Sequence, residues 1–536
     1  AVNGFLFELP QTGVWDASGT YTSDFGLGND YLRNAGDVIV SQAAIGFGDG
    51  DDTFLTVAGG EVHLSTGTIA MGAGINAFVN GGTVFANGLF NYIDAGVNGT
   101  VTNNGTIDMV DNHVNDALTV GPVLGGVGSL NIDVNQVALT ADSLYVIGDM
   151  TANAVQTVNV NFPMFPITQH MTIPFAWITG NSVASNFAPG TLLNYNYPLN
   201  FIDVDLTISS AIDATNTVDD VFSINLDVNG LNDTGSIAAL TAQGAANFMN
   251  AQVGTFRQRL GVNPYGDAGK VMSAYVRYYT ETGDVNPGHN AHNFGQGGNF
   301  DYRQASWGTE VGVNANLWSN LHAGVVLGNA DSRQRLDSPG VGTNRMDGMT
   351  FGMYLTWYVP NGWYVDLTAR KMAADVYSTS VGGVLQSRVH TNAVSLEGGY
   401  EFKVGNINIV PQIQYTWTQV DEIDAYHGQY ANLVLGGGHY NRGRVGVDFN
   451  TQIESGDFRW TPYGSLNWVH NSRGASEYTI GGVFHGDTWV NGSAFMAEFG
   501  VGVERGGFGF TIGGNWTDGG SYDSVLGGQA SFRYSW

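Results

Sequence analysis

From about residue 262 to Trp536 the chain alternates apolar and polar residues over runs far longer than a soluble sheet sustains. Between Ile407 and Trp417 one face carries Ile407, Ile409, Pro411, Ile413, Tyr415 and Trp417, and the other Asn408, Val410, Gln412, Gln414 and Thr416. Thr391 to Phe402 repeats this, with Val394, Leu396, Tyr400 and Phe402 against Thr391, Ser395, Glu397 and Glu401. Side chains of a strand point alternately to opposite faces, so each run has one greasy and one polar side. Pro411 counts mildly against the pattern, because it removes one ladder donor. Twelve such strands begin near Lys270, Arg303, Leu321, Met346, Trp363, Val389, Ile407, Tyr440, Phe458, Val490, Gly507 and Ser521. Short turns at 318–320, 360–362, 404–406, 455–457 and 505–506 alternate with longer loops at 282–302, 333–345, 374–388, 421–439 and 473–489. Only the short connection at 518–520 departs from this order. An even strand number with short turns at one rim and long loops at the other is the pattern of a twelve-stranded antiparallel transmembrane β-barrel. Trp357, Tyr358, Trp363 and Tyr364, near strand ends, are expected in its interfacial girdles.

Charge separates this part from the rest. One cation, Arg33, precedes Arg257, while the acidic residues divide almost evenly about residue 256, so most of the net charge of -28 belongs to the first half. That balance excludes a nucleic-acid binder working by counterion release. A segment with a single Lys or Arg cannot rest on salt-bridge networks and must rely on backbone ladders and apolar stacking. With 43% apolar residues in 536, the chain can bury substantial cores, and its length suggests two to four domains. The absence of Cys removes disulfides and thiolate chemistry. No apolar run of helix-spanning length occurs. No basic-then-apolar leader stands at Ala1, which predicts a cytosolic or an already processed protein.

The first half reads as short β-prone runs punctuated by Gly, Asn and Asp, such as Val38-Ile39-Val40, Thr53 to Val57 and Glu61 to Leu64. Gly-Thr pairs at 67, 82, 99 and 105 recur only loosely. This predicts a β-helix or solenoid, right-handed and parallel, with a sandwich as the alternative. Strands from about 130 to 235, richer in Pro, Tyr and Phe as at Phe162 to Pro166, are expected to close and cap it. Ser236 to Leu260 is the one convincing helix, with Ser236 as its cap and Gly261 after its end. At about 1.5 Å per residue it would outreach a bilayer core, yet it is too polar and too rich in small residues to face lipid.

The sharpest local motif is Gly48-Asp49-Gly50-Asp51-Asp52. Carboxylates at Asp49, Asp51 and Asp52 are the candidate calcium ligands, since hard cations take oxygen donors; the competing reading is a tight turn between coils. No other cofactor is expected. His63, His113 and His170 are well separated, and no serine elbow, zinc helix motif or phosphate loop occurs, so no catalytic residue is assigned. His289 and His292 lie in the first long loop, where a solvated loop is the simpler reading than metal binding.

The last strand adds a distinct signal: Leu526, Gly528, Ala530, Phe532, Tyr534 and Trp536 share one face. Together with Phe248 to Val253, Phe256 to Leu260 and Ala274 to Tyr278, this order of solenoid, polar helix and barrel resembles the monomeric autotransporters of type V secretion. The resemblance implies an outer-membrane barrel (262–536), a pore-threading helix (236–261) and a passenger (1–235) displayed at the cell surface. It implies that Ala530, Phe532, Tyr534 and Trp536 are read by the barrel-assembly machinery, and that outer-membrane lipid surrounds the barrel. Some relatives release their passengers by cyclisation of a helix Asn. Asn247 and Asn250 lie in the corresponding segment, but the Asn-Asn doublet of the cleaving group is missing, which predicts no self-cleavage. A structural or adhesive passenger is the leading expectation, with a surface hydrolase and a channel as the competing classes; a surface ligand and self-association stay open.

Overall fold

A computed structural model describes the chain except residues 1–4, 20–21, 163–169, 194–200, 216, 263–270, 293–294, 428–431, 473 and 483. It divides into two compact units, one of Ala1–Tyr197 with Val204–Asn229 and one of Pro198–Asp203 with Gly230–Trp536.

The first unit is a β-solenoid of about six turns, built from three sheets whose short strands stack in parallel. Parallel pairing rules out the sandwich alternative. Each sheet contributes an inward row in strict register. Leu32, Phe54, Phe78, Val101 and Leu124 form one. Val38, Val62, Val84, Ile107 and Leu130 form the second. Ile45, Ile69, Ile93, Val120, Val146 and Ile178 form the third. None of these residues is more than 3% exposed. The core is thus a column of aliphatic and aromatic side chains, stabilised by burial rather than by charge. Toward the end of the stack His170–Ile178 pairs antiparallel with Asp220–Leu231, as expected of closing strands. Most of the Phe162 to Pro166 run lies outside the described residues.

The repeat that sets the coil is not the Gly-Thr pair. It is Gly-x-Gly-x-Asp/Asn, present at Gly26 to Asp30, Gly48 to Asp52 and Gly72 to Asn76, at intervals of 22 and 24 residues. Its glycines stack one above another so closely that a Cβ on Gly48 would lie 1.7 Å from the Gly26 carbonyl oxygen, and one on Gly72 1.7 Å from that of Gly48. Gly72 also has φ of +74°, which side-chain-bearing residues rarely adopt. Gly72→Ala is therefore expected to destabilise the solenoid by about 3 kcal/mol or more, measured as a lowered midpoint of urea unfolding.

The second unit is a closed antiparallel barrel of twelve long strands. The last strand, Tyr522–Ser535, pairs with the first, Met272–Val285, and so closes it. Expected strands are found throughout, but two begin earlier than the apolar pattern suggests, at Gly342 and Gly383. The loops expected at 333–345 and 374–388 shrink accordingly to tight connections. In these extensions several outward positions are charged, as at Arg345, Asp375 and Arg388, so alternation of hydropathy weakens before the strand ends. Three other long loops are not loops either: 288–291, 484–489, 476–480, 432–435 and 423–427 join in a five-stranded sheet. Ile423, Leu433, Leu435, Tyr478, Ile480 and Phe484 are among its buried side chains.

The expected single helix is three. α1 (Asp233–Ala239) is capped by Asn232, whose Oδ1 accepts the Gly235 N–H at 3.0 Å; Ser236 sits buried in its first turn instead of capping it. α2 (Thr241–Val253) ends at Gly254, where φ is +56°. α3 (Phe256–Leu260) restarts with Thr255 and Gln258 bonded as a capping box, and ends at Gly261 as expected. No described helix is long and apolar enough to cross a membrane.

Candidate functional site

The helices pack against the polar inner face of the barrel wall, and their composition follows from that. Ala242, Ala245 and Ala246 are no more than 1% exposed, and a Cβ on Gly244 would lie 2.2 Å from the Gln334 amide. Larger side chains would not fit between helix and wall. The wall answers the helix backbone with amides: Gln304 donates to the Gly244 carbonyl at 2.9 Å, Gln334 to that of Leu240 at 3.3 Å, and Asn344 to that of Ile237 at 2.7 Å.

Charge enters at α3. Arg257 grips Asp448 with two hydrogen bonds of 2.8 and 2.5 Å, and Arg259 pairs with Asp366. The two guanidinium groups also lie over tyrosine rings, Arg257 at 5.1 Å from Tyr463 and Arg259 at 4.6 Å from Tyr354. Glu397 accepts the Phe256 N–H at 2.9 Å and pairs with Arg444 at 3.0 Å. Gln258 donates to Glu498 at 3.2 Å, and Arg533 donates to the Leu260 carbonyl at 3.2 Å. Deeper in the wall, Glu310 bridges Arg370 at 2.6 Å and Arg277 at 3.2 Å, and Arg277 donates to the Gln252 carbonyl at 3.2 Å. The Glu310 and Arg370 side chains are fully buried. Buried pairs of this kind resist loss of either partner, because the survivor is left as an uncompensated charge. The helix is therefore fastened along its length. A small polar cavity beside α2, lined by Asn250, Arg277, Glu281, Gln414, Arg442 and Arg444, is what remains of the lumen there.

The candidate cleavage residues fall on α2. The Asn247 amide is held from both sides by phenols, donating to Tyr302 at 3.0 Å and accepting from Tyr522 at 3.1 Å. Asn250 borders the cavity, and its backbone carbonyl accepts the Gly254 N–H. Among the described residues no carboxylate is hydrogen-bonded to either side chain.

Of the four terminal-strand residues, Phe532, Tyr534 and Trp536 are exposed and outward-facing. Ala530, Phe532 and Tyr534 lie opposite Tyr278, Val276 and Ala274 of the first strand. Tyr534 stacks between Phe508 at 4.8 Å and Trp536 at 5.7 Å. Trp357 and Trp363 also face outward, as a girdle requires. Tyr364 does not: it is 5% exposed, points into the lumen and donates to Glu397 at 2.9 Å. Tyr358 packs against Phe256.

In the solenoid, Asp49, Asp51 and Asp52 do not converge as a set of ligands. Asp52 points inward and accepts the Asp30 N–H at 2.7 Å, whereas Asp51 accepts the Ile75 N–H at 2.8 Å on the exposed side. Asp49 belongs to a backbone bridge between coils. The motif is thus a rung-to-rung ladder, in which Asn76 accepts from Asp52, Asp52 from Asp30 and Asp30 from Phe5. A second acidic ladder follows, with Asp116 accepting the Gly88 N–H at 2.6 Å and Asp142 those of Asp116 and Asp133 at 3.0 and 2.7 Å. Burial, reinforced by neighbouring carboxylates, pushes Asp52 and Asp116 up to about 6 and Asp142 to about 8. Tandem Gly-x-Gly-x-Asp/Asn is the signal in the sequence that marks Asp30, Asp52 and Asn76; no such motif marks Asp116 or Asp142.

Residues 274–523 match the family model described as the autotransporter beta-domain. Among curated proteins no relative matches. Solved structures similar in fold include the β-domain of the Bordetella autotransporter Brka, at 20% identity over 50% of this chain and 100% of that one, with a TM-score of 0.40. The translocator domain of NalP from Neisseria meningitidis has 12% identity, coverage of 56% and 97%, and a TM-score of 0.42. The transport unit of AIDA-I from Escherichia coli has 14% identity, coverage of 55% and 99%, and a TM-score of 0.41.

Proposed function

Since the chain belongs to the autotransporter family, through a C-terminal barrel that is the family's β-domain, we propose that its passenger stays attached and acts at the cell surface as a structural or adhesive solenoid. The barrel lies in the outer membrane and serves the display of the segment that precedes it. Permanent attachment is supported by the ion-paired lumenal helix, with Arg257 and Arg259 tied to the wall and Asn247 clamped by Tyr302 and Tyr522. An Asn whose amide is held at both ends is poorly placed to turn on its own backbone. On a denaturing gel the expected result is a single full-length band; two bands near the sizes of the halves would overturn permanent attachment. Exogenous protease is expected to remove residues 1–235 from intact cells, with lysed cells reporting whether the folded passenger itself resists digestion.

A non-enzymatic passenger is supported by its histidines. His63, His113 and His170 each pair with a carboxylate, Glu61, Asp111 and Asp227, and among the described residues none is bonded to a Ser or Thr hydroxyl. A fluorophosphonate label on a passenger serine would establish the hydrolase reading instead. Outer-membrane lipid and the barrel-assembly machinery are the partners that the outward apolar face and the terminal strand suit. The channel reading is disfavoured by the filled lumen. In a planar bilayer the intact protein is expected to conduct little, and deletion of 236–260 to open large, steady steps.

A further inference from the structure

We propose that Asp37, Glu61 and His63 form a divalent-metal site on the outer face of the solenoid, with Zn²⁺ as its ion. Asp37 and Glu61 begin neighbouring parallel strands and stand directly opposite each other, and His63 follows Glu61 by two residues on the same face. One ligand atom from each lies within 4.8 Å of the other two. His63 Nε2 is already 3.0 Å from Glu61 Oε2. That is close to the roughly 3.4 Å edge of a tetrahedron with bonds of about 2.0–2.1 Å. Rotation of the Asp37 and Glu61 side chains closes the rest. Phe85, on the next strand, stacks on the imidazole at 4.7 Å and 14°, so the ring is oriented before any ion arrives. The His63 and Glu61 side chains are 39% and 42% exposed, which leaves the site open to solvent and a coordination position free for water.

Electrostatics points the same way. Two carboxylates directly opposite on adjacent strands repel each other. The first 256 residues hold one Lys or Arg, and that residue, Arg33, stands in a different sheet. Among the described residues no ion pair joins Arg33 to Asp37 or Glu61, whose one charged partner is His63, and a divalent ion would offset the pair. Imidazole with carboxylates is a donor set suited to Zn²⁺, whereas the all-oxygen sets suit calcium. The site is separate from Asp49, Asp51 and Asp52, and it does not depend on whether the passenger is adhesive. His113 with Asp111 and His170 with Asp227 lack a third ligand among the described residues, which makes them internal controls.

The test is calorimetric titration of Zn²⁺ into the intact, untagged, chelator-stripped protein in detergent micelles. One saturable site is expected. His63→Ala is expected to weaken it by about 100-fold and Asp37→Asn by at least about tenfold, while His170→Ala leaves it unchanged. Unaltered far-UV circular dichroism and an unaltered unfolding midpoint without metal show that each variant is folded. Absence of saturable binding to the unmodified protein, or binding that survives His63→Ala, overturns the proposal.

Discussion

Glu310→Gln is expected to cost the barrel about 3–5 kcal/mol, enough to lower its urea midpoint sharply and to remove much of the heat-resistant, fast-migrating form on a gel. Glu310 is the shared counter-ion of Arg277 and Arg370, and all three side chains are at most 2% exposed. Glutamine keeps the shape and some of the hydrogen bonds but leaves two buried guanidinium groups with no anion between them. A surface pair gives the contrast. Arg505 and Asp457 are 60% and 76% exposed at 3.0 Å, so Asp457→Asn is expected to change the unfolding free energy by less than about 0.5 kcal/mol. Equal effects of the two substitutions would mean that the inner network does not hold the barrel.

The passenger is expected to become more stable as the pH falls from 8 toward 4, the reverse of ordinary acid denaturation. Asp142 rises on folding from an ordinary value of 3.8 to about 8, and Asp52 and Asp116 rise to about 6. The folded form therefore binds these protons more tightly than the unfolded chain does. Stability from them is complete below about pH 3.8, and is lost as pH rises through 6 and then 8. At about 1.4 kcal/mol per pKa unit, Asp142 alone accounts for an effect on the order of a few kcal/mol. The measurement is the passenger's thermal midpoint at pH 5 and pH 8. Asp142→Asn, whatever it does to stability overall, is expected to flatten the slope between pH 6 and 8. A midpoint that falls between pH 8 and 5 would refute the effect, and a slope unchanged in Asp142→Asn would assign it elsewhere.

The barrel was legible in the sequence because lipid and lumen impose opposite demands on alternate residues, as at Ile413 and Gln414. Where polar residues hold the outward positions, as before Met346 and before Val389, that contrast fades and the strands read as loops. The five-stranded sheet was invisible for a related reason: strands of four to six residues such as Asn432–Leu435 and Phe484–Trp489 are too short to show a period. The lumenal helix was legible by composition but not by continuity, since Gly254 with Thr255 both ends one helix and starts the next. The solenoid is legible in its short strands, but its period does not follow the Gly-Thr pairs. The physical constraint lay instead in backbone touching backbone at Gly26, Gly48 and Gly72. Pairings such as Arg259 with Asp366 bring together residues far apart in the chain, and no local pattern announces them.

Those stacked glycines give the solenoid a unit of length. Across the first three rungs each coil offers the next the same surface: two bare carbonyl contacts, an inward Asp or Asn, and three apolar side chains. Loss or duplication of one whole rung re-forms the same junction and moves nothing else out of place. Loss of half a rung sets Cβ atoms against carbonyl oxygens and misaligns every row above it. In this stretch the solenoid is therefore lengthened or shortened without strain by whole turns, and its reach is counted in them.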